Sequence, residues 1–127
     1  MRYVLLAVAI LFASQTGSTQ AQTLKYGPAV VQLSGTLTSG KGVEPDDTKI
    51  IFPAIKLKAP IRVEGTPGDD ADVTEKNISL VQLSLDEKLM AQYERMKSQA
   101  AVVTGTLFHQ NTGHHHTKVL MLVQKIE

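Results

Sequence analysis

The sequence contains neither cysteine nor tryptophan, and its 127 residues include only three tyrosines and three phenylalanines. Without cysteine, no disulfide can constrain the fold and no thiolate can serve as a nucleophile or a metal ligand. The scarcity of aromatic rings leaves little surface on which nucleobases could stack, which disfavours a single-stranded nucleic-acid binder. A hydrophobic core must therefore hold the folded chain together.

Neither sign of charge is in excess. The chain has 13 Lys plus Arg against 12 Asp plus Glu, for a formal net charge of +1. Nucleic acids and anionic membranes attract proteins through a large or clustered positive charge. We therefore expect no nucleic-acid partner and no stable membrane anchor, and recognition that depends on charge must be local.

Long hydrophobic runs are also absent. The apolar stretch Tyr3 to Ala13 (YVLLAVAILFA) follows a basic start at Arg2 and is shorter than the roughly 20 residues of a membrane-spanning helix. It is typical of a secretory signal peptide, and the small residues Thr19 and Ala21 predict cleavage after Ala21. An anchor helix or a buried helix is the alternative. Cleavage would remove Arg2, so the exported chain, in the periplasm or outside the cell, would have no formal net charge.

The remaining residues predict a linker over 22–28 and one domain over 29–127. Alternating apolar and polar residues indicate strands over 29–38, 78–83, 101–108 and 117–126, and one bent strand or two strands over 48–63. Ser84-Leu-Asp-Glu87 has the spacing of a capping box and begins an amphipathic pattern that ends near Gln99, which predicts a helix. The last strand is apolar on both sides, which is typical of a strand covered on both faces.

The predicted order is strand, strand, strand, helix, strand, strand. Together with Gly35 and Gly105, each placed where a strand must bend, this order predicts a mainly β protein with one helix. The expected architecture is a small OB-fold-like, five-stranded Greek-key barrel. An α+β sandwich with the helix on one open face is the alternative.

Two short motifs near the end of the chain carry a resemblance. Gly105-Thr-Leu-Phe-His109 is followed by Thr112-Gly-His-His-His-Thr117. Over roughly the last fifty residues, the sequence resembles an uncharacterised family of secreted bacterial domains of unknown function, in which a GTLFH strand meets a TGHHHT turn. The resemblance implies a bacterial, exported domain and implies no reaction.

All four histidines lie between positions 109 and 116. If the loop spans 110–113, antiparallel pairing places His109, His114 and His116 on one face of the sheet, where imidazoles could bind Zn²⁺ or Cu²⁺. A loop one residue longer would break this trio. The histidines could instead hydrogen-bond within the loop and fix the hairpin, or act together as a pH switch.

A basic stripe forms the second candidate site. Lys56, Lys58 and Arg62 alternate along the second extended segment and should share one face. On OB-type barrels this region commonly receives the ligand, so the stripe could bind a glycan or an acidic protein surface. The alternative is a solvated strand face that lysines protect against aggregation.

Signals of catalysis are lacking. The sequence has no Gly-x-Ser-x-Gly motif and no phosphate-binding glycine loop, and Asp69, Asp70 and Asp72 lack the ligand spacing of an EF-hand. We expect a monomeric, exported binding or accessory module for an unknown protein or glycan partner, and not an enzyme. A periplasmic metal-binding protein that uses the three histidines is the alternative, and a hydrolase comes third.

Overall fold

The computed structural model describes residues 22–127, so the predicted signal peptide lies outside the described residues. The described part contains six strands and one helix. In chain order these are β1 (Gln22–Lys25), β2 (Val30–Val43), β3 (Lys49–Glu64), β4 (Glu75–Ser84), α1 (Glu87–Met96), β5 (Ala100–His109) and β6 (Val119–Ile126).

The strands form one sheet that closes on itself. Its order is β1-β3-β2-β5-β6-β4, and an additional pairing of β3 with β4 closes β2 to β6 into a ring. All pairings within the ring are antiparallel except that of β4 with β6. The prediction of a mainly β protein with one helix and an OB-fold-like, barrel-like ring is therefore confirmed.

The segment predicted as a linker is partly ordered as a strand. β1 pairs in parallel with the end of β3, from Gln22 opposite Ile61 to Lys25 opposite Glu64. Leu24 packs against the core, and the amide of Gly27 donates to the carbonyl of Leu107. These long-range contacts order the segment, and its short local pattern did not predict them.

β3 is a single bent strand that contains two prolines. Pro53 pairs with Ser39 of β2 but precedes Ala54, where pairing with β4 begins. Pro60 lies within the shift of register between β3 and β4 that follows Lys56. Both prolines are thus placed where one side of the strand has no regular partner, which is where strands tolerate proline.

The two predicted strand bends are close approaches of neighbouring backbones. A Cβ atom on Gly35 would overlap the backbone carbonyl of Lys56, and one on Gly105 would overlap that of Leu122. The pairing of β5 with β6 also shifts register between Thr104 and Gly105. Glycine therefore permits the curvature that closes the ring.

The helix is shorter than predicted, and its cap lies two residues later. Ser84 remains in β4, paired with β6, whereas Asp86 caps α1 by accepting from the amide of Leu89 at 2.8 Å. After the helix ends at Met96, Ser98 has a positive φ of 73° and its amide donates to Leu37. No helix within residues 22–127 is long and apolar enough to cross a bilayer.

Buried apolar side chains form two layers. Eighteen of them fill the ring and the space beneath α1. Three others, Phe52, Ala54 and Leu120, are at most 4% exposed but are not part of that core. They alternate with core residues such as Ile55 and Met121 and therefore lie on the outer side of the sheet. We call these three residues the outer apolar floor. The predicted two-sided burial of the last strand holds at its beginning, where Leu120 is buried, but not at Leu122, which is 54% exposed.

Candidate functional site

The loop between β5 and β6 spans residues 110–118 and is longer than predicted; we call it the histidine loop. His109 pairs with Val119, and Leu107 pairs with Met121. A loop of 110–113 would have paired His109 with His114, and the structure shows neither that loop nor that pairing. Residues 114–118 are held by long-range contacts and do not pair with β5. The alternation of apolar and polar residues along the chain cannot predict such contacts.

Two of the histidines bind one carboxylate. Nδ1 of His114 lies 3.0 Å from Oε1 of Glu44, and Nε2 of His116 lies 3.1 Å from Oε2 of the same side chain. Each ring must carry its proton on the nitrogen that faces Glu44 to donate these hydrogen bonds. The hydrogen bond from His114 is the main cause that holds the pKa of the Glu44 carboxyl below its ordinary value. Glu44 thus joins the β2–β3 turn to the histidine loop.

A glutamine of β4 holds the backbone of the histidine loop. Oε1 of Gln82 accepts from the amide of His116 at 2.7 Å, and its Nε2 donates to the carbonyl of His114 at 3.3 Å. The backbone amide of Gln82 donates a further hydrogen bond to the hydroxyl of Thr117. A side-chain amide can satisfy a backbone donor and a backbone acceptor together. Gln82 therefore satisfies two backbone groups of the histidine loop that have no strand partner.

The histidine loop covers Phe52, one residue of the outer apolar floor. The ring of His116, whose side chain is 8% exposed, stacks on Phe52 with centroids 5.3 Å apart and planes 18° apart. A Cβ on Gly42 would meet His116 at 2.6 Å, and one on Gly113 would meet Pro45 at 2.5 Å. These small residues allow the histidine loop and the β2–β3 hairpin to pack closely.

His109 belongs to a separate cluster. Its Nε2 lies 2.7 Å from Oε2 of Glu75, and its Nδ1 lies 3.1 Å from the carbonyl of Gln110. Its ring also meets Tyr26 edge-on at 6.2 Å. Burial raises the pKa of Tyr26 to about 12, and its hydroxyl donates to the carbonyl of Val73. Tyr26 is therefore protonated at any physiological pH.

His115, the fourth histidine, is also engaged. Its Nδ1 accepts from the amide of Asn111 at 3.0 Å, and its ring packs edge-on against Phe108. Within residues 22–127, no three side chains of histidine, aspartate or glutamate are grouped as metal ligands would be. The predicted trio of His109, His114 and His116 is therefore not brought together, because His109 pairs with Glu75 while the other two bind Glu44.

The basic stripe is divided between two hollows. Lys56 and Lys58 are exposed and line a groove of about 420 Å³, which we call the lysine groove. Arg62 lies farther along β3 and lines a different hollow, together with Asp69, Asp70 and Asp72 of the acidic loop. The three residues alternate as predicted, but only the two lysines share a concave surface.

The walls of the lysine groove combine small polar residues with apolar ones. Lys56 lies opposite Thr36 of β2, and Gly35, Leu57 and Ala101 are among the residues that line the groove. Ser34 and the C-terminal Glu127 also line it, and the carboxylate of Glu127 lies 3.3 Å from Lys125. A smaller hollow of about 210 Å³ lies on the other side of Lys58 and is lined by Gln22 and Gln32. Within the described residues, Lys56 and Lys58 form no ion pair.

Sequence reasoning missed two residues of this region, Glu44 and Gln82. Glu44 lies in a segment of turn-forming residues, and Gln82 lies in a predicted strand. Glu44 is 70 residues away from His114, so no local spacing could join them. The unusual concentration of histidines was the only signal that they needed a partner.

A protein-family model matches part of the chain. It describes a domain of unknown function, DUF4431, and it matches residues 80–127. The match begins in β4 and includes α1, β5, the histidine loop and β6. The chain is therefore similar to that family over less than half of its length, in the region where a resemblance was predicted. No curated protein matches the chain.

Proposed function

We propose that the protein is an exported module that binds an anionic oligosaccharide in the lysine groove and acts by binding, not by catalysis. The observation that carries this proposal is the placement of Lys56 and Lys58 side by side in a concave groove, where neither forms an ion pair with a described residue and the acidic lining residue Glu127 pairs with Lys125 instead. The predicted signal peptide and the resemblance to secreted domains support export.

The volume and the walls of the groove favour a saccharide. Pockets of about 300 to 1,000 Å³ suit small ligands, and the lysine groove holds about 420 Å³. Hydroxyl groups of Ser34 and Thr36 can exchange hydrogen bonds with sugar hydroxyls, while the lysines can pair with carboxylate or sulfate groups.

The lysine groove shares β3 with the usual ligand surface of an OB fold, and its other walls are formed by β2, β5 and Glu127. OB folds commonly bind oligosaccharides across their second and third strands and the two flanking loops. In this chain the corresponding elements are β3, β4, the β2–β3 turn and the histidine loop. Since the histidine loop covers the part of β3 around Phe52, the open part around Lys56 remains for a ligand.

Calorimetric titration with a tetramer of galacturonic acid tests the proposal, with a neutral tetramer of glucose as the matched ligand. We expect binding of the acidic tetramer that weakens with salt. The double variant Lys56→Ala/Lys58→Ala should bind at least about tenfold more weakly, since one hydrogen bond to a charged group contributes about 1.5 to 3 kcal/mol.

The control variant is Lys88→Ala, which removes an exposed lysine of α1 away from the groove. It should bind as the unmodified protein does. Equal loss in both variants, or no difference between the acidic and the neutral tetramer, would contradict the proposal. Binding of a hexaglutamate peptide without binding of either sugar would show that the groove takes an acidic protein segment instead.

A further inference from the structure

The β2–β3 hairpin extends beyond the ring as a two-stranded ribbon. Pairing of β2 with β5 ends at Thr36 opposite Ala100, whereas pairing of β2 with β3 continues to Val43 opposite Lys49. Pairing of β3 with β4 begins only at Ala54. Residues 39–43 and 49–53 are therefore paired with each other alone, and isolated two-stranded ribbons need further contacts to be stable.

One face of this ribbon is covered and the other is open. The histidine loop packs on the face that contains Phe52, Gly40 and Gly42. The opposite face contains Val43 and Ile51, which are 55% and 68% exposed. We call the face formed by Lys41, Val43, Lys49 and Ile51 the open ribbon face.

The open ribbon face continues the core-facing side of the sheet. Side chains alternate along a strand, so Ile51 lies on the same side of β3 as the buried Ile55, and Val43 on the same side of β2 as the buried Leu37. In the ring this side is covered by the opposite wall and by α1. On the ribbon, two aliphatic side chains occupy core-facing positions with no described residue over them.

The edge of β2 is open along the same stretch. The amide of Leu37 donates to Gln99, and the amide of Ser98 donates to Leu37. Within residues 22–127, no backbone hydrogen bond reaches this edge between Ser39 and Val43. An unpaired strand edge next to exposed aliphatic side chains is a template for the addition of another strand.

The charges of the open ribbon face determine which kind of strand can be added to the edge of β2. Lys41 is opposite Ile51, and Lys49 is opposite Val43, so each aliphatic side chain has a lysine beside it. A second copy of the chain pairing antiparallel through this edge would place two Lys41 side chains near each other, and like charges in such pairs are unfavourable. Carboxylates that alternate with apolar side chains would complement the face.

The geometry points to an extended, acidic segment of a protein partner that adds as a strand to the edge of β2 between Ser39 and Val43. Its backbone continues the sheet, its apolar side chain packs against Val43, and its carboxylate pairs with Lys41. Lys41 alone could serve to protect the edge from aggregation, but such protection does not account for an exposed valine and isoleucine on the same face.

The test uses the peptide Val-Thr-Glu-Thr-Val-Thr-Glu-Thr-Val, labelled with fluorescein, whose valines and glutamates share one face. The matched peptide carries lysine in place of both glutamates. We expect the acidic peptide to bind at least about tenfold more tightly, and we expect Lys41→Glu to reverse this preference, since the paired charges decide it. Lys88→Glu, on α1, changes a similar exposed lysine outside the ribbon and should leave the preference unchanged.

Amide hydrogen exchange locates the added strand. Bound acidic peptide should slow exchange between Ser39 and Val43 and leave the residues of the lysine groove unchanged. Equal affinity for the two peptides, protection at another edge, or dimerisation of the chain through β2 would each overturn the inference. Because the galacturonate titration concerns a different surface, neither result depends on the other.

Discussion

Phe52→Ala is the sharpest test of how the histidine loop is held. Phe52 is 4% exposed on the covered face of the β2–β3 hairpin, beneath the stacked ring of His116. Ile51, its neighbour in sequence, is 68% exposed on the opposite face. Truncating each residue to alanine therefore compares two adjacent positions of one strand that differ in what covers them.

The expected loss of stability follows from buried area. Burial of a phenylalanine removes about 150 to 250 Å² from water, which at about 25 cal/mol per Å² corresponds to about 4 to 6 kcal/mol. Substitutions of buried phenylalanine by alanine cost about 3 to 5 kcal/mol. A covering loop can partly settle into the vacated space, so we expect about 3 kcal/mol for Phe52→Ala, at the lower end of that range.

Urea unfolding followed by far-ultraviolet circular dichroism measures this loss, since the chain has no tryptophan to report unfolding by fluorescence. At about 4 °C per kcal/mol, the melting temperature should fall by about 12 °C. Ile51→Ala should change stability by no more than about 0.5 kcal/mol. A loss below about 1 kcal/mol for Phe52→Ala, or equal losses for the two variants, would refute the outer apolar floor.

Further substitutions test how the histidine loop is held and how the ring closes. Gln82→Ala removes the donor and the acceptor that hold the histidine-loop backbone and should cost about 1 to 3 kcal/mol in urea unfolding. Glu44→Gln should destabilise the protein at neutral pH but progressively less in acid. Folding lowers the pKa of Glu44, so the carboxylate contributes to the free energy of unfolding above the ordinary glutamate pKa. That contribution is lost as the pH falls through the pKa of the folded state. Unfolding measured between neutral pH and pH 3 checks this, and a constant difference would contradict it. Gly105→Ala should unfold at a much lower temperature than Gly68→Ala. The new methyl group at position 105 would overlap the backbone carbonyl of Leu122, whereas the one at position 68 would lie in open space, where the positive φ of 82° is the only source of strain.

The order of β2 to β6 and of the helix could be predicted because each of these elements has a local signal, whereas β1, which was predicted as part of a linker, has none. Alternation located these five strands, and Gly35 and Gly105, which were predicted to mark bends, lie where a neighbouring backbone approaches too closely for a side chain. The helix cap was misplaced because Ser84 and Asp86 are both good caps, and only the pairing of Ser84 with β6 decides between them. Such a competition between a cap and a strand partner cannot be resolved from local sequence.

The arrangement of the histidines could not be predicted for a related reason. A tight hairpin was the simplest interpretation of His109 to His116, but the register depends on Glu44 and Gln82, which lie about 70 and 34 residues away from their histidine partners. The shared face of Lys56 and Lys58 could be predicted, since strand alternation alone places them on one side of β3. Arg62 also follows the alternation, but the bend of β3 and the acidic loop place it in another hollow.

The contacts that separate His114 and His116 from His109 also limit what the outer side of the sheet can bind. A ligand that followed the whole of β3 would have to remove His116 from Phe52 and break both hydrogen bonds to Glu44. The part of the face around Lys56 needs no such rearrangement. A ligand that lies along β3 without moving the histidine loop must therefore end before Phe52, which favours a short oligosaccharide such as the tetramer over a polymer.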